Sequence, residues 1–337
     1  MSTATAIAHP NIALVKYWGK RDSALNLPAT GSLSMTLDAF PTRTTVTVDA
    51  GLDRDEFTLD GQLVEGEAAD RVTRFLDLVR ERSGSAARAR VRSVNTVPSS
   101  AGLASSAAGF AALAGASAAA YGLELDQRSL SRLARRGSGS AARSVIPGFA
   151  LWHAGATDEE SFAEPLDAPD LAMVVVTVDR AEKPVPSRDA MRRTALTSPF
   201  YPAWITSTEA SLRAAVDACR DGDVERLGRI AETNALRMHA AIQACDPPIR
   251  YLTPASLRVL DGVEGLRRDG VDAYATADAG PNVVVLCRPG DADVVRDRLT
   301  GLGELIVTRP GPGLRSLPLD DDRGDAQRGA RTAVGRQ

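Results

Sequence analysis

Four clusters of small and polar residues interrupt the apolar pattern of this chain and carry side chains that could do chemistry. They lie at 16–20, 95–110, 137–143 and 278–282. The first and third supply cations, the second supplies hydroxyl and backbone donors, and the fourth supplies a lone carboxylate. Phosphoryl transfer to an anionic small molecule uses such a set of groups.

The stretch 95–110 is the candidate phosphate site. It ends a strand at Asn95, turns at Pro98 and runs through Ala, Gly and Ser into a helix predicted at about 102–121. Unpaired N–H groups at such a helix start, together with the helix dipole, suit a phosphate. The alternative is a helix whose small residues only allow close packing on a sheet. The spacing matches neither of the common nucleotide-binding glycine motifs, so this stretch alone leaves both interpretations open.

The other three clusters could also be purely structural. Residues 16–20 could form a surface loop with a buried Trp18. Residues 137–143 could be a helix C-cap and a flexible turn, although an arginine beside such a turn also grips carboxylates and phosphates. Residues 278–282 could be a β-turn, because Asp, Gly, Pro and Asn all favour turns.

The elements that must position these clusters follow from the hydrophobic periodicity. The segments 33–37 and 42–49 are expected to form a strand pair, and Asp60-Gly61 predicts a hairpin after 57–59. Helices are predicted at 67–82, 102–121, 127–136, 207–219, 224–243, 254–269 and 292–302. Strands are predicted at 3–9, 11–17, 33–37, 42–49, 57–59, 91–94, 146–152, 171–178, 271–277, 283–287 and 304–308.

This pattern predicts an α+β chain in two domains. Two prolines and a change of pattern within 183–187 place the junction there, which gives domains at 1–185 and 186–315. Asp, Arg, Gly and Gln dominate beyond that point, so 316–337 is predicted to be a disordered tail.

Composition restricts the class of protein. The chain has 337 residues and a net charge of −3, which does not indicate a nucleic-acid-binding surface. Its three cysteines and three histidines are scattered, which predicts buried or semi-buried thiols in a reducing compartment and makes a transition-metal site unexpected. No secretory signal and no membrane-spanning stretch is recognised, so a cytoplasmic protein is expected.

Several motifs resemble the GHMP kinase superfamily. The motif Pro98-x-x-x-Gly102-Leu103-x-Ser105-Ser106-Ala107 is similar to its phosphate-binding loop. Four further motifs, in the right order, resemble one family in particular, the diphosphomevalonate (mevalonate pyrophosphate) decarboxylases. These motifs are Asn11-Ile-Ala-Leu-Val-Lys-Tyr-Trp-Gly-Lys-Arg-Asp22, Leu27-Pro with Ser32-Leu-Ser-Met-Thr-Leu37, Arg135-Arg-Gly-Ser-Gly-Ser-Ala-Ala-Arg-Ser144 and Asp278-Ala-Gly-Pro-Asn282.

The resemblance implies both a fold and a reaction. The fold would be the two-domain GHMP kinase fold, an N-terminal domain like that of a ribosomal protein followed by a ferredoxin-like α/β sandwich, with the active site in the cleft between them. The reaction would convert (R)-5-diphosphomevalonate and ATP to isopentenyl diphosphate, ADP, phosphate and CO₂, with Mg²⁺. It would proceed by phosphorylation of the tertiary 3-hydroxyl. A homodimer whose ligands are small molecules, with no nucleic-acid or membrane partner, is also expected.

The resemblance assigns catalytic roles to Asp278, Lys16 and Arg143. Asp278 matches the catalytic aspartate of the family. Because a tertiary alcohol is far less acidic than a carboxylic acid, we expect Asp278 to orient the 3-hydroxyl and take its proton late. Lys16 would keep Asp278 ionised, and Arg143 would hold the substrate carboxylate.

The resemblance also implies two sets of binding residues, while the metal ligands stay unassigned. The substrate contacts would be Tyr17, Lys20, Asn11, Ser138, Ser140, Ser187 and Arg188. The ATP phosphates would be held by Pro98, Ser99, Ser100, Gly102, Leu103, Ala104, Ser105 and Ser106.

Three different functions stay open on the same fold. A mevalonate 3-kinase or a decarboxylase of the 5-monophosphate is the nearest. Asp278, Lys16 and Arg143 favour decarboxylation, and the presence of Lys20 and Arg188 favours a diphosphate. The third, from another class, is a non-catalytic ligand sensor, which could keep the phosphate loop and lose the base.

Overall fold

The computed structural model describes residues 1–96, 105–181 and 183–318. The described part is a mixture of helices and mainly antiparallel sheets, so the α+β prediction is confirmed. The strands are β1 (Ser2–Ala8), β2 (Asn11–Val15), β3 (Lys20–Asp22), β4 (Leu27–Pro28), β5 (Ser32–Thr36), β6 (Thr42–Asp49), β7 (Glu56–Leu59), β8 (Gln62–Leu63), β9 (Arg88–Asn95), β10 (Phe149–Trp152), β11 (Ala163–Pro165), β12 (Ala172–Thr177), β13 (Ala273–Thr276), β14 (Val283–Cys287), β15 (Glu304–Thr308) and β16 (Arg315–Leu317). The helices are α1 (Glu67–Ser83), α2 (Ser105–Ala120), α3 (Gln127–Gly137), α4 (Ala141–Ser144), α5 (Ser187–Thr197), α6 (Tyr201–Asp221), α7 (Val224–Gln243), α8 (Pro254–Arg268) and α9 (Ala292–Arg298).

Strands with alternating apolar and polar residues build a six-stranded sheet in the order β16-β1-β6-β9-β7-β8. In β6 the buried residues Thr42, Thr44 and Val46 alternate with partly exposed ones, as a sheet covered on one face requires. The predicted hairpin is confirmed: β7 and β8 pair across Asp60 and Gly61, whose φ values of 51° and 81° suit a tight hairpin turn.

A second sheet, in the order β11-β10-β5-β2, is buried more deeply. Every residue of β2 and of β5 is buried, because other elements cover both faces of these strands. The predicted pairing of 33–37 with 42–49 is therefore wrong. β5 pairs with β2 and β10, while β6 pairs with β1 and β9 in the first sheet.

The small residues of α2 bring that helix close to the first sheet. A Cβ added to Gly115 would lie 2.9 Å from Leu314 and 3.2 Å from Ala6. The small residues of α2 therefore do allow close packing on a sheet. This packing does not decide whether the N-terminal end of the helix also binds a phosphate. In α1 the predicted apolar face is confirmed, with Val72, Phe75, Leu76 and Val79 buried.

A third sheet, in the order β13-β14-β12-β15, joins the two halves of the chain. Residues of α8 and α9 pack on one of its faces. On the other face, Met173 and Val284 share a core with Leu33 and Met35 of the second sheet. One continuous apolar layer therefore connects the second sheet, whose strand β2 precedes Lys16, with the third sheet, whose strand β13 precedes Asp278.

The sheets do not follow the predicted division of the chain at residue 185. β12 precedes 183–187, yet it pairs with β14 and β15. The domain boundary at 185 stays a prediction, and this pairing favours a division between β11 and β12 instead. Ser316 and Leu317, assigned to the disordered tail, pair with β1 as part of β16, so that assignment is wrong for these two residues. Residues 319–337 lie outside the described part.

Helix α5 and the beginning of α6 were not predicted from the sequence. α5 begins at Ser187, at the end of the stretch 183–187 where two prolines suggested a domain junction, and α6 begins six residues before the predicted 207. Pro186 precedes α5 and Pro202 lies in the first turn of α6, positions where proline is compatible with a helix. The prolines therefore mark helix starts.

The cysteines match their prediction: Cys219, Cys245 and Cys287 are buried free thiols. No helix within residues 1–96, 105–181 and 183–318 is both long enough and apolar enough to cross a membrane.

Candidate active site

An ion pair between a buried lysine and a partly exposed carboxylate joins the first and fourth clusters. The Lys16 Nζ donates to Asp278 Oδ1 at 2.6 Å and to the Ala13 carbonyl at 2.8 Å. Only 1% of the Lys16 side chain is exposed, whereas 40% of the Asp278 side chain is. The lysine is thus fixed behind the carboxylate, and the carboxylate is open to a ligand.

Two asparagines hold the segments that carry this pair. The Asn234 side chain on α7 accepts from the backbone N–H of Lys16 at 2.8 Å. Asn282 accepts from the N–H groups of Val178 and Asp179 at 2.9 and 3.2 Å, which ties the turn after β13 to the end of β12. Residues 279–281 form a bend, in which the Gly280 N–H donates to the Asp278 carbonyl at 2.8 Å, so the chain changes direction here and positions the carboxylate.

Charges around Asp278 keep it ionised. Burial raises the pKa of its carboxyl, but the cations Lys16, Arg143 and Lys183 outweigh burial and bring that pKa below its ordinary value. Burial lowers the pKa of Lys16, and the charge of Asp278 partly restores it. The carboxylate is thus available as a hydrogen-bond acceptor at neutral pH.

Arg143 lies in α4 and is 3% exposed. Its Nε donates to Asn11 Oδ1 at 3.0 Å and its Nη1 donates to Ser32 Oγ at 2.6 Å. Burial lowers the pKa of the guanidinium to about 10, which leaves it charged at neutral pH. Both hydrogen-bond partners are neutral, so they orient the cation without compensating its charge.

Asn11 lies behind Arg143, away from the lining of the cleft. Its Nδ2 donates to Ser144 Oγ at 2.8 Å and to the Ser140 carbonyl at 3.1 Å. Both acceptors lie in or next to α4, so Asn11 fixes this short helix as well as the guanidinium.

Lys20, Arg71 and Arg188 form a second group of cations, which we call the cation cluster. Burial lowers the pKa of Lys20 to about 8, and the charges of Arg188 and Arg71 add to this effect. The Lys20 Nζ donates to Asn26 Oδ1 at 2.5 Å, and Arg71 Nη2 donates to the Gly137 carbonyl at 3.4 Å. Like charges placed this close together favour an anionic ligand.

The ion pair, Arg143 and the cation cluster line one cleft of about 370 Å³. The hydroxyl of Tyr17 is buried there without a hydrogen-bond partner among the described residues, as expected of a donor meant for a ligand. A Cβ on Gly139 would lie 2.6 Å from that hydroxyl, so the close approach requires glycine. The predicted site residues that line the cleft are Lys16, Tyr17, Lys20, Ser106, Ser138, Ser140, Arg143, Ser187, Arg188 and Asp278.

Three lining residues with charged or amide side chains were not among the predicted site residues: Asn26, Arg71 and Lys183. Arg71 belongs to the polar face of a helix identified by its apolar face, and such arginines are usually solvated. Asn26 has a φ of 53° and donates to the Arg135 and Arg136 carbonyls. Lys183, one of the few lysines of this arginine-rich chain, donates to Ser187 Oγ at 3.3 Å.

A smaller, mainly apolar cleft of about 310 Å³ opens between α1, β9 and α2. Phe57, Val72 and Phe110 line it, and it shares Arg71 and Ser106 with the first cleft. The two clefts therefore adjoin at the beginning of α2.

The predicted phosphate loop lies mostly outside the described residues. Ser105 begins α2, and the Ser106 hydroxyl lies 3.5 Å from that of Ser138. The predicted ATP contacts outside the described part are Pro98, Ser99, Ser100, Gly102, Leu103 and Ala104.

Comparison with known proteins gives a consistent result. Residues 8–163 match the diphosphomevalonate decarboxylase-like N-terminal domain family, and residues 173–302 match the mevalonate 5-diphosphate decarboxylase C-terminal domain family. The solved structure of MDDEF in complex with MVAPP, AMPPCP and magnesium is 45% identical, with a TM-score of 0.90 over 94% of this chain and 99% of that one. This likeness shows the two-domain GHMP kinase fold.

Curated relatives agree with the structural neighbours. The diphosphomevalonate decarboxylase of Candida albicans is 34% identical over 93% of this chain and 97% of its own. The phosphomevalonate decarboxylase of Haloferax volcanii is 32% identical over 89% of this chain and 93% of its own.

Proposed function

Because the chain belongs to the diphosphomevalonate decarboxylase family of ATP-dependent carboxy-lyases, we propose that it decarboxylates (R)-5-diphosphomevalonate. The products are isopentenyl diphosphate, ADP, phosphate and CO₂. One observation carries the proposal: a cleft of about 370 Å³ is lined by an ionised carboxylate, a buried arginine and a cation cluster. These groups match the hydroxyl, carboxylate and diphosphate of this substrate.

Arg143 binds the substrate carboxylate. Its hydrogen-bond partners are neutral, and the charge of Asp278 offsets the cost of its burial only in part, so a ligand with a negative charge stabilises this cation further. Nη2 has no hydrogen-bond partner within the described residues, and a carboxylate oxygen can accept from it. Asn11 and Ser32 act through Arg143 by holding its guanidinium in place.

Asp278 accepts the proton of the 3-hydroxyl. As the hydroxyl oxygen attacks the γ-phosphorus of ATP, its proton passes to the carboxylate and ADP leaves. The phosphate then leaves carbon 3 with the C–O electron pair. The bond from carbon 2 to the carboxylate carbon breaks, its electrons form the new double bond, and CO₂ is released.

The diphosphate lies on the cation cluster. Lys20 and Arg188, both predicted, are joined by Arg71, and the hydroxyls of Tyr17 and Ser138 complete the donors. Their cationic charge is compatible with a group that carries up to three negative charges.

ATP lies across the two adjoining clefts. The apolar cleft between α1 and α2 suits the adenosine, and Ser106 at its junction with the reaction cleft suits the phosphates. Among the described residues, no group of three or more His, Cys, Asp or Glu side chains could hold a metal. Mg²⁺ commonly binds through nucleotide phosphates and one or two protein oxygens, a set to which Asp278 and Ser106 could contribute. When bound, it neutralises phosphate charge.

Decarboxylation of the 5-monophosphate is a specific alternative function, because one relative is a phosphomevalonate decarboxylase. Three cations in the cluster favour the more highly charged diphosphate. A 3-kinase that stops after phosphorylation and a non-catalytic sensor are two further candidate functions for the same cleft.

Product analysis separates these functions. Incubation with ATP, Mg²⁺ and 5-diphosphomevalonate should release CO₂ and phosphate in equal amounts. CO₂ release only from the 5-monophosphate would identify the monophosphate decarboxylase, and phosphorylation of mevalonate without CO₂ would identify the kinase. Binding without any turnover would indicate a sensor.

A further inference from the structure

A second cavity, of about 860 Å³, adjoins the reaction cleft on its outer side. We call it the outer cavity. It lies between α1, the end of α3, α5 and the loop from β3 to β4, and it shares the cation cluster with the reaction cleft. Its volume falls within the range of sites that bind whole organic ligands.

The outer cavity is strongly cationic. Arg74, Arg136 and Arg192 line it in addition to the three shared cations. The lining also has two carboxylates, Asp77 and Asp189, and Asp77 is already paired with Arg80 at 2.5 Å. The excess positive charge favours an anionic ligand.

One wall of the cavity is apolar. Leu78, Met191, Ala195 and Leu196 contribute to it, and 75% of Leu196 is exposed. An anion with no apolar part would leave this wall in water, so the complementary ligand is amphiphilic.

We propose that the outer cavity binds organic diphosphates with a long apolar chain, with the diphosphate on the cation cluster and the chain along the apolar wall. The proposal rests on the proposed function in one respect: the cation cluster is taken to bind the diphosphate of the substrate as well. Such a ligand therefore competes with diphosphomevalonate and leaves the cleft between α1 and α2 free for ATP.

Isothermal calorimetry on the full chain without ATP tests this proposal. The probes are geranyl diphosphate and methyl diphosphate, which share a head group and differ in having ten carbons or one. Each buried methylene strengthens binding several-fold, so geranyl diphosphate should bind at least about 10-fold more tightly. Equal affinities would overturn the proposal, as would failure of methyl diphosphate to displace geranyl diphosphate.

Two substitutions test whether the apolar chain of the ligand lies along the apolar wall. Leu196→Asp and Ala195→Asp introduce charge into the apolar wall at exposed positions, so folding should be preserved. Each should remove most of the preference for geranyl over methyl diphosphate, whereas the control Leu236→Asp, on an exposed leucine of α7 outside the cavity, should not. If both cavity variants kept the full preference for geranyl over methyl diphosphate, the apolar chain of the ligand would bind elsewhere, which would contradict the proposal.

Because calorimetry requires no turnover, this result is independent of the proposed activity. Failure to release CO₂ would exclude the decarboxylase activity, while calorimetry would still measure the preference for geranyl over methyl diphosphate. Where both hold, geranyl diphosphate should raise the KM for diphosphomevalonate and leave the maximal rate unchanged.

Discussion

Lys16 and Arg143 are both buried cations, yet only Lys16 forms an ion pair within the described residues. This difference supports the division of roles. The paired lysine stabilises the ionised form of a protein carboxylate, and the unpaired arginine suits a carboxylate that arrives with the ligand.

Asp278→Asn should preserve ATP binding and lower kcat at least about 100-fold, because asparagine cannot accept the proton of the hydroxyl. Nucleotide titration and single-turnover phosphate release measure the two effects separately. A variant that keeps more than a tenth of the activity would exclude Asp278 as the proton acceptor.

Arg71→Gln should raise the KM for diphosphomevalonate by about 10-fold, since a hydrogen bond to a charged group contributes roughly 1.5–3 kcal/mol. Arg74→Gln is the matched control, because Arg74 lies on the same helix and lines only the outer cavity. Equal KM values for the two variants would show that Arg71 does not contact the substrate.

The pKa of about 8 for Lys20 predicts an alkaline limb in kcat/KM. Lys20 is charged below that pH, so substrate binding should weaken as the pH rises through about 8. Lys20→Arg should move this limb to higher pH, because arginine stays protonated. An identical limb in the variant would assign it to another group.

Helix α7 connects the catalytic lysine to the second half of the chain. Asn234 accepts from the Lys16 backbone and donates to Thr208 Oγ1 at 3.2 Å, so one buried side chain ties together β2, α6 and α7. The position of Lys16 thus depends on helices that begin nearly two hundred residues later.

Asn234→Ala should lower the free energy of unfolding by about 1–3 kcal/mol, because it leaves buried polar groups without partners. Urea denaturation measures this effect, with the exposed neighbour Thr233→Ala as the control. A loss no greater than that of the control would show that water or a shift of the backbone replaces the bond.

Periodicity located most of the helices and strands, but it could not assign neighbours. The segments 33–37 and 42–49 are adjacent strands in sequence, and their different burial patterns are the sign that they belong to different sheets. The prolines before α5 and in α6 were ambiguous, since the same residues mark linkers and helix starts.

The motifs grouped residues that lie together in the structure, because they carry unusual residue combinations. Every predicted substrate contact except Asn11 lies on the lining of one cleft. Arg71 could not be found in this way, since an arginine on the polar face of a helix looks the same in sequence whether it is solvated or faces a ligand.

The second and third sheets share one apolar core, which includes Leu33, Met35, Met173 and Val284. Neither sheet could expose this surface to water without a large loss of stability. The two halves of the chain are therefore expected to fold as one unit.

Calorimetric unfolding should show a single transition in which the calorimetric and van't Hoff enthalpies agree. The shared core is the reason, because opening either half exposes apolar surface of the other. Two resolved transitions would mean that the halves unfold independently and that their contact contributes little.

The pairing of β16 with β1 also has a consequence for synthesis. β1 leaves the ribosome well before residues 315–317, which are its neighbour on one side. Until those residues emerge, β1 is an edge strand with unpaired backbone groups. The nascent chain thus carries an open edge between the synthesis of β1 and that of β16, which is the interval in which a chaperone would protect it from aggregation.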